Sequence, residues 1–411
     1  MKYRLATAVL ILCLSTTAAW AEGTPMEPED TRQTAFTFLF KGDTMLKLYG
    51  AIDMLTYYDT SSPAISDWLA FVYPKGTLKG DEDSFNMAVR ASKIGIFFQM
   101  PKAFPGWDVS AKMEADFVGG FSTGTTVAYS PLMRLKQAWV SLDSKHISFL
   151  VGQTFGAFGP LFPSVGSWIA LGTSGNPWIR LPQIKTTLRY APFTLELSAT
   201  RPMAANTNVG GSQDDIISDG EYSNMPFFMG RLGYADTFGA VAVSAGISGA
   251  YGKEKILRPK TSDDEIDIDK TLDVWMGIVD LKVATKWVAL SGEGFMGSNL
   301  NTFYAGIIQG VTIDMEKGEA KGIRAWGAWG QLSILPQSVV NVNLGGGIDN
   351  PDDNDLLPGA RAQNIMAYGN VNYTLTNNWR LSLEGSYMQT SYKDGDANDN
   401  IRTLFRSTFS F

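Results

Sequence analysis

The stretch WDVSAKMEADFVGG limits the possible folds of this chain more than any other feature. Trp107, Val109, Ala111, Met113, Ala115 and Phe117 fall on one face, and Asp108, Ser110, Lys112, Glu114 and Asp116 fall on the other. A repeat of two residues is the repeat of a β-strand, here with one oily and one ionic face. The same alternation returns along the chain as far as RTLFRSTFSF, where Phe405, Phe409 and Phe411 oppose Arg402, Arg406, Thr408 and Ser410. Its separators alternate in length. Short ones such as PKAFPG at 101–106, DSKH at 143–146 and TNN at 376–378 carry turn residues. Long ones lie between them, at 60–85, 119–131, 156–182, 202–224, 254–270, 299–321, 349–361 and 393–399.

This spacing predicts about sixteen strands, from 46–59 to 400–411, in an up-and-down meander with one smooth end and one elaborate end. A soluble sandwich rarely uses so many strands of this length. A membrane-spanning barrel needs strands of ~9–11 residues, an even strand number, short periplasmic turns and long outer loops. Lipid offers the backbone no hydrogen bonds, so only a closed sheet satisfies every strand. The fold class expected is therefore all-β: a transmembrane antiparallel up-and-down β-barrel over residues 43–411, with short periplasmic turns and long extracellular loops.

The first residues are read separately. Lys2 and Arg4 precede a short apolar run, and Ala19-Trp20-Ala21 is a small-x-small site, so residues 1–21 are expected to be a signal peptide. Residues 22–42 are read as a periplasmic lead-in, with a short strand at 36–40 left open. The single cysteine, Cys13, lies within the signal, so disulfides and thiolate metal sites are not expected. The net charge of −7 argues against nucleic acid as a partner. A terminal Phe411 at the end of an alternating strand is similar to the signal read by the barrel-assembly machinery of bacterial outer membranes.

Sixteen strands leave room for a water-filled bore. Parity then assigns the residues that line it, with the phase of strands two, ten and eleven open. The basic set is Lys47, Lys93, Lys112, Arg134, Lys136, Lys185, Arg189, Arg231, Arg324, Arg380, Arg402 and Arg406. The acidic set is Asp53, Asp108, Glu114, Asp116, Glu196, Glu293 and Glu384. The bore thus leans positive although the chain is negative. The remaining negative charge gathers in the outer loops, at Asp263, Asp264, Glu265, Asp267, Asp269, Asp349, Asp352, Asp353, Asp355, Asp394, Asp396 and Asp399. A solvated face explains these acids better than a divalent-cation bridge to lipopolysaccharide. The loop at 156–182 is long, rich in Gly, Pro and aromatic residues, and holds one charge, Arg180. Such a loop beside a watery bore is expected to fold inward, narrow it and bring Arg180 to the lumen. The alternative is packing against a neighbouring subunit.

The motifs LYGAIDMLTYYD, SKIGIFF, KMEADFVGG, LMRLKQAWVSL, FLVGQTFGAF, GEGFMGSNL and LGGGIDNPDDNDL, in this order, resemble the DcaP-like porins of Gram-negative outer membranes. More distantly they resemble the phosphate-selective porins. The resemblance implies a sixteen-stranded barrel, a homotrimer, and passage of small anions such as dicarboxylates. It also implies that Arg134 and Lys136 are basic pore-wall residues. The function expected is passive diffusion of small hydrophilic solutes with a preference for anions, without cofactor or metal. A plugged adhesive barrel is the alternative. An enzyme is disfavoured, because the only histidine, His146, falls in a short turn away from the lumen.

Overall fold

The computed structural model describes residues 36–40, 43–65, 67–120, 130–167, 169–203, 220–258 and 268–411. The signal peptide and most of the lead-in lie outside the described residues. The same holds for Trp168 and for four of the loop acids, Asp263, Asp264, Glu265 and Asp267.

Sixteen strands form the wall. They are β1 Met45–Asp59, β2 Lys93–Phe104, β3 Trp107–Asp116, β4 Arg134–Asp143, β5 Ile147–Phe155, β6 Arg180–Tyr190, β7 Phe193–Thr200 and β8 Phe227–Phe238. The second half comprises β9 Val241–Arg258, β10 Ile268–Ala284, β11 Val288–Ser298, β12 Arg324–Ile334, β13 Val340–Pro351, β14 Arg361–Thr376, β15 Trp379–Tyr392 and β16 Asn398–Ser410. Each pairs antiparallel with its neighbours, and β16 returns to β1 from Asp59↔Arg402 to Ala51↔Ser410. Phe411 then exchanges two backbone hydrogen bonds with Gly50, of 2.9 and 3.0 Å. The wall is a closed cylinder, as the alternation predicts.

Below Gly50, β1 runs further than β16 reaches. The strand Phe36–Leu39 covers that edge, pairing Phe36↔Leu48 through Leu39↔Met45. Strand two differs from expectation. It begins as Ser84–Ala88, breaks, and resumes at Lys93. The break is a tight turn in which Ser92 N–H donates to Val89 O, and it frees Arg90 to grip Asp67 of the first long loop at 2.5 Å.

Parity behaves as period two requires. Met113 is 58% exposed while Glu114 is 1%, and Phe405 is 44% exposed while Arg402 is 1%. The outer face is a band of Ile, Leu, Val, Phe and Met. The buried apolar residues lie inside the cylinder, where long loops pack on the inner wall. Loop 156–179 runs inward and meets the loop after β1 and the loop after β11. Phe158 packs on Phe303, and Trp178 packs on Tyr304 with ring centroids 4.9 Å apart. The approach is so close at two points that a side chain has no room. A Cβ on Gly347 of β13 would fall 1.9 Å from Ser174 O, and one on Gly175 would fall 2.2 Å from Ala328 O.

Candidate functional site in the bore

Two walls of the bore differ in how their charges are held. On β2–β4 the cations converge. Glu114 is buried and accepts a hydrogen bond of 2.9 Å from the Tyr49 hydroxyl. Three lysines surround it, Lys136 at 3.1 Å, Lys112 at 3.6 Å and Lys93 at 3.8 Å. One carboxylate among three ammonium groups leaves the cluster net positive. Lys136 arrives there through a bulge: Glu114 faces Gln137 and Ala115 faces Leu135, so Lys136 is the extra residue on β4. An extra residue of this kind re-aims its side chain. One step higher, Arg134 grips Asp116 in a bidentate pair of 3.1 and 2.8 Å.

Arg180, the first residue of β6 after the in-folded loop, joins this wall. Its guanidinium lies over the rings of Phe155 and Trp178, at 5.0 and 5.1 Å. Arg180, Arg134, Lys136, Trp178 and Tyr304 line one small cavity of ≈ 80 Å³. Burial raises the Tyr304 phenol above its ordinary range, while Arg134 and Arg180 pull the other way.

On β11–β15 the carboxylates are capped instead. Glu293 accepts from Leu161 N–H at 2.8 Å, and Glu384 accepts from Gly166 N–H at 2.6 Å. Gln331 accepts from Ser164 N–H at 2.6 Å, and Asn370 donates to Ser164 O at 2.6 Å. Asp349 accepts from Gly306 and Ile307 N–H groups of the loop after β11. These loops therefore lie over the acidic side and use its carboxylates as anchors. Backbone N–H donors to a carboxylate satisfy it without any cation.

Elsewhere in the bore cations meet carboxylates. Lys185 meets Glu196 at 3.5 Å, and Arg231 meets Asp280 at 2.7 Å. Arg402 meets Asp59 at 2.8 Å and lies 4.1 Å from the Tyr57 ring, while Arg406 meets Asp53 at 2.5 Å. Arg189 and Arg380 share the bore-facing parity of Lys185 and Glu384 near the short-turn rim, where Arg189 N–H donates to His146 O.

Arg324 departs from its assignment to the bore. It shares the outward parity of Trp326 at the long-loop rim, and it binds Asp352 at 2.8 Å and Asp355 at 2.7 Å. The two tryptophans of its strand, Trp326 and Trp329, have opposite parity, so one points out and the other in. Asp349 departs from its assignment to an outer loop. β13 continues to Pro351 and carries it into the wall, fully buried. Asp352 and Asp355, by contrast with Asp349, are ion-paired rather than merely solvated.

Parity reasoning missed the counter-ions Asp59 and Asp280, and it missed Tyr49 and Tyr304. Asp59 has the parity of Asp53, and Asp280 lies on a strand whose phase was open. Tyr304 sits in NTFYAGII, an apolar stretch in a long loop, the very signal that marked 156–182.

No protein-family model matches this chain, and no curated protein matches it. Solved structures do. The outer membrane channel DcaP of Acinetobacter baumannii superposes with a TM-score of 0.71 at 17% identity, covering 91% of this chain and 99% of that one. An anion-selective porin from Comamonas acidovorans gives 0.54 at 11% identity, covering 89% and 100%. OmpT, an outer membrane protein of Vibrio cholerae, gives 0.50 in its trimer form at 11% identity, covering 90% and 99%. The chain thus has the sixteen-stranded fold of outer-membrane channels, and it shares that fold over nearly its whole length with DcaP.

Proposed function

We propose that this protein is a passive diffusion porin of a Gram-negative outer membrane, and that its bore prefers small anions such as carboxylates. One observation carries the reading: three lysines around Glu114 form a cationic wall while Glu293, Glu384 and Asp349 are covered by loop N–H groups. An anion crossing the bore meets a cluster of three lysines on one side and capped carboxylates on the other. Low-dielectric walls focus that field. Several moderate sites suit conduction better than one tight clamp.

A homotrimer fits the same picture. β3–β7 are 8 to 11 residues long, whereas β9 and β10 are 18 and 17. The short side presents less wall to lipid, and its outer face carries an open notch of ≈ 670 Å³ lined by Val151, Pro182, Ile184, Ala199 and Pro226. OmpT's trimer form makes this assembly the natural expectation. Export by residues 1–21, recognition of Phe411 by assembly machinery, contact with lipopolysaccharide and the absence of enzymatic activity belong to the same proposal. The in-folded loops favour one second reading, a plugged barrel.

The test is the reversal potential of the purified protein in a planar bilayer under a potassium chloride gradient. Discrete conductance steps with a potential toward chloride are expected. Lys112→Gln with Lys136→Gln should move that potential toward potassium. A wild-type potential on the potassium side refutes the anion reading, and a silent barrel supports the plug.

A further inference from the structure

Below the point where loop 156–179 touches the wall, the inner face of β12–β14 changes character. Gln331, Ser333, Asn341, Asn343, Asn370 and Asn372 form one lattice of side-chain amides and a hydroxyl. Asn343 Nδ2 donates to Asn341 Oδ1 at 3.2 Å and to Asn370 Oδ1 at 2.9 Å. Asn372 Nδ2 donates to Asn341 Oδ1 at 3.0 Å and to Asn370 Oδ1 at 2.9 Å. Gln331 Nε2 reaches Ser333 and Asn343, and Asn370 Nδ2 reaches Ser164 O and Glu384.

The capacity of a carboxamide decides what this lattice presents to the bore. Each offers two N–H donors and an oxygen that accepts two bonds. Asn343 and Asn370, 3% and 4% exposed, spend their N–H groups inside the lattice, on Ser164 O or on Glu384. Asn341 Oδ1 already accepts two bonds, so its N–H groups are left over. Asn372 has donated both N–H groups, so its carbonyl oxygen is left over. Among the described residues these two groups have no protein partner, and both side chains are only half-buried. Asn341 and Asn372 face each other across the β13–β14 ladder. The wall therefore holds a donor and an acceptor side by side, fixed by the buried amides behind them. A hydroxyl group, which donates once and accepts, is complementary to that pair. The row continues through Ser382 to Arg406, two strands on.

We infer that Asn341 and Asn372 form a hydroxyl-recognising strip, and that the solutes passing best are small anions that also carry hydroxyl groups, of the sugar-acid class. This deepens the anion-porin reading and rests on it. The strip exchanges hydrogen bonds with a hydroxylated solute as its water leaves, which a purely hydrocarbon chain cannot do.

The experiment uses the full-length protein in planar bilayers under bi-ionic conditions, with potassium gluconate or potassium hexanoate against potassium chloride. Asn341→Ala with Asn372→Ala should lower the gluconate-to-hexanoate permeability ratio by about threefold or more, the loss of roughly one hydrogen bond. The chloride-to-potassium ratio should stay as in the wild type. A gluconate-to-hexanoate ratio that does not change, or that falls only in step with chloride selectivity, overturns the inference. Where the double variant does not insert, each single Asn→Ala variant is read the same way. Failure of the anion reading shows in the chloride potential of the wild type, so the two failures are distinguishable.

Discussion

Cutting the carboxylate anchors of the in-folded loop should enlarge the channel. Two of its contacts, Leu161 N–H to Glu293 and Gly166 N–H to Glu384, end on carboxylates at 2.8 and 2.6 Å. A hydrogen bond contributes about 0.5–1.5 kcal/mol net, so Glu293→Ala with Glu384→Ala should weaken seating by roughly 1–3 kcal/mol. Each 1.4 kcal/mol is about tenfold in an equilibrium, so a loop seated nearly always becomes one that leaves the wall often. Gln331, Asn370 and the aromatic cluster of Phe155, Phe162, Trp178 and Tyr304 still hold it in part. The expected record is a larger and noisier single-channel conductance. Glu293→Gln with Glu384→Gln carries the same change of charge but keeps an acceptor oxygen at each anchor, so its conductance should stay near the wild type. Comparing the two double variants cancels the effect of charge. If the Ala variant conducts quietly at the wild-type level, or if Gln and Ala behave alike, the anchors do not seat the loop.

Three further outcomes are expected. Asp59→Ala leaves Arg402, 1% exposed, without its bidentate partner, and should cost about 3–5 kcal/mol, read as a lower temperature for loss of the folded band in heat-modifiability gels. Gly347→Ala places a Cβ 1.9 Å from Ser174 O and should destabilise by about 1–3 kcal/mol while raising current noise. Gly277→Ala on the outer face, with nothing within 4 Å, should do neither. Burial would raise the Asp355 carboxyl, but hydrogen bonds from Arg324 and from Lys321 outweigh it and hold it at about 2. A lowered folded value stabilises above the ordinary carboxylate range and is lost as pH falls through the folded value. The contact of Asp355 with Arg324 should therefore survive at pH 4 and release near pH 2. Protease cleavage of the 352–360 loop across that range, compared with Asp355→Asn, would show it.

The cylinder was legible because period two is a local property that every strand states for itself. Position along each strand was less so. Gly-rich strands specify phase weakly, since a missing side chain gives no face. In GIRAWGAWGQL the tryptophans at 326 and 329 take opposite faces, so the strand has no single apolar stripe from which the side of Arg324 can be read. In LGGGIDN the strand runs past its glycines, so Asp349 belongs to the wall rather than to the loop. Charges in the bore could be listed from sequence, but not which carboxylate met a cation and which met an N–H group. That depends on where loops land, and only the pairing of Ser164, Gly166 and Gly306 with strands far along the chain decides it. The bulge at Lys136 shows only as two consecutive polar residues, Lys136 and Gln137, which alternation alone does not interpret.

The edge of β1 is covered by two pieces of chain laid head to tail, Phe411 beside Gly50 and Phe36 beside Leu48. The last stave is thus a splice of two segments remote in sequence. A permuted gene that joins Phe411 to Phe36 through a brief linker and opens the chain at the Lys145–His146 hairpin would keep every other ladder intact. Such a molecule should still roll up, since what the tube requires is a complete set of neighbours and not a particular starting point.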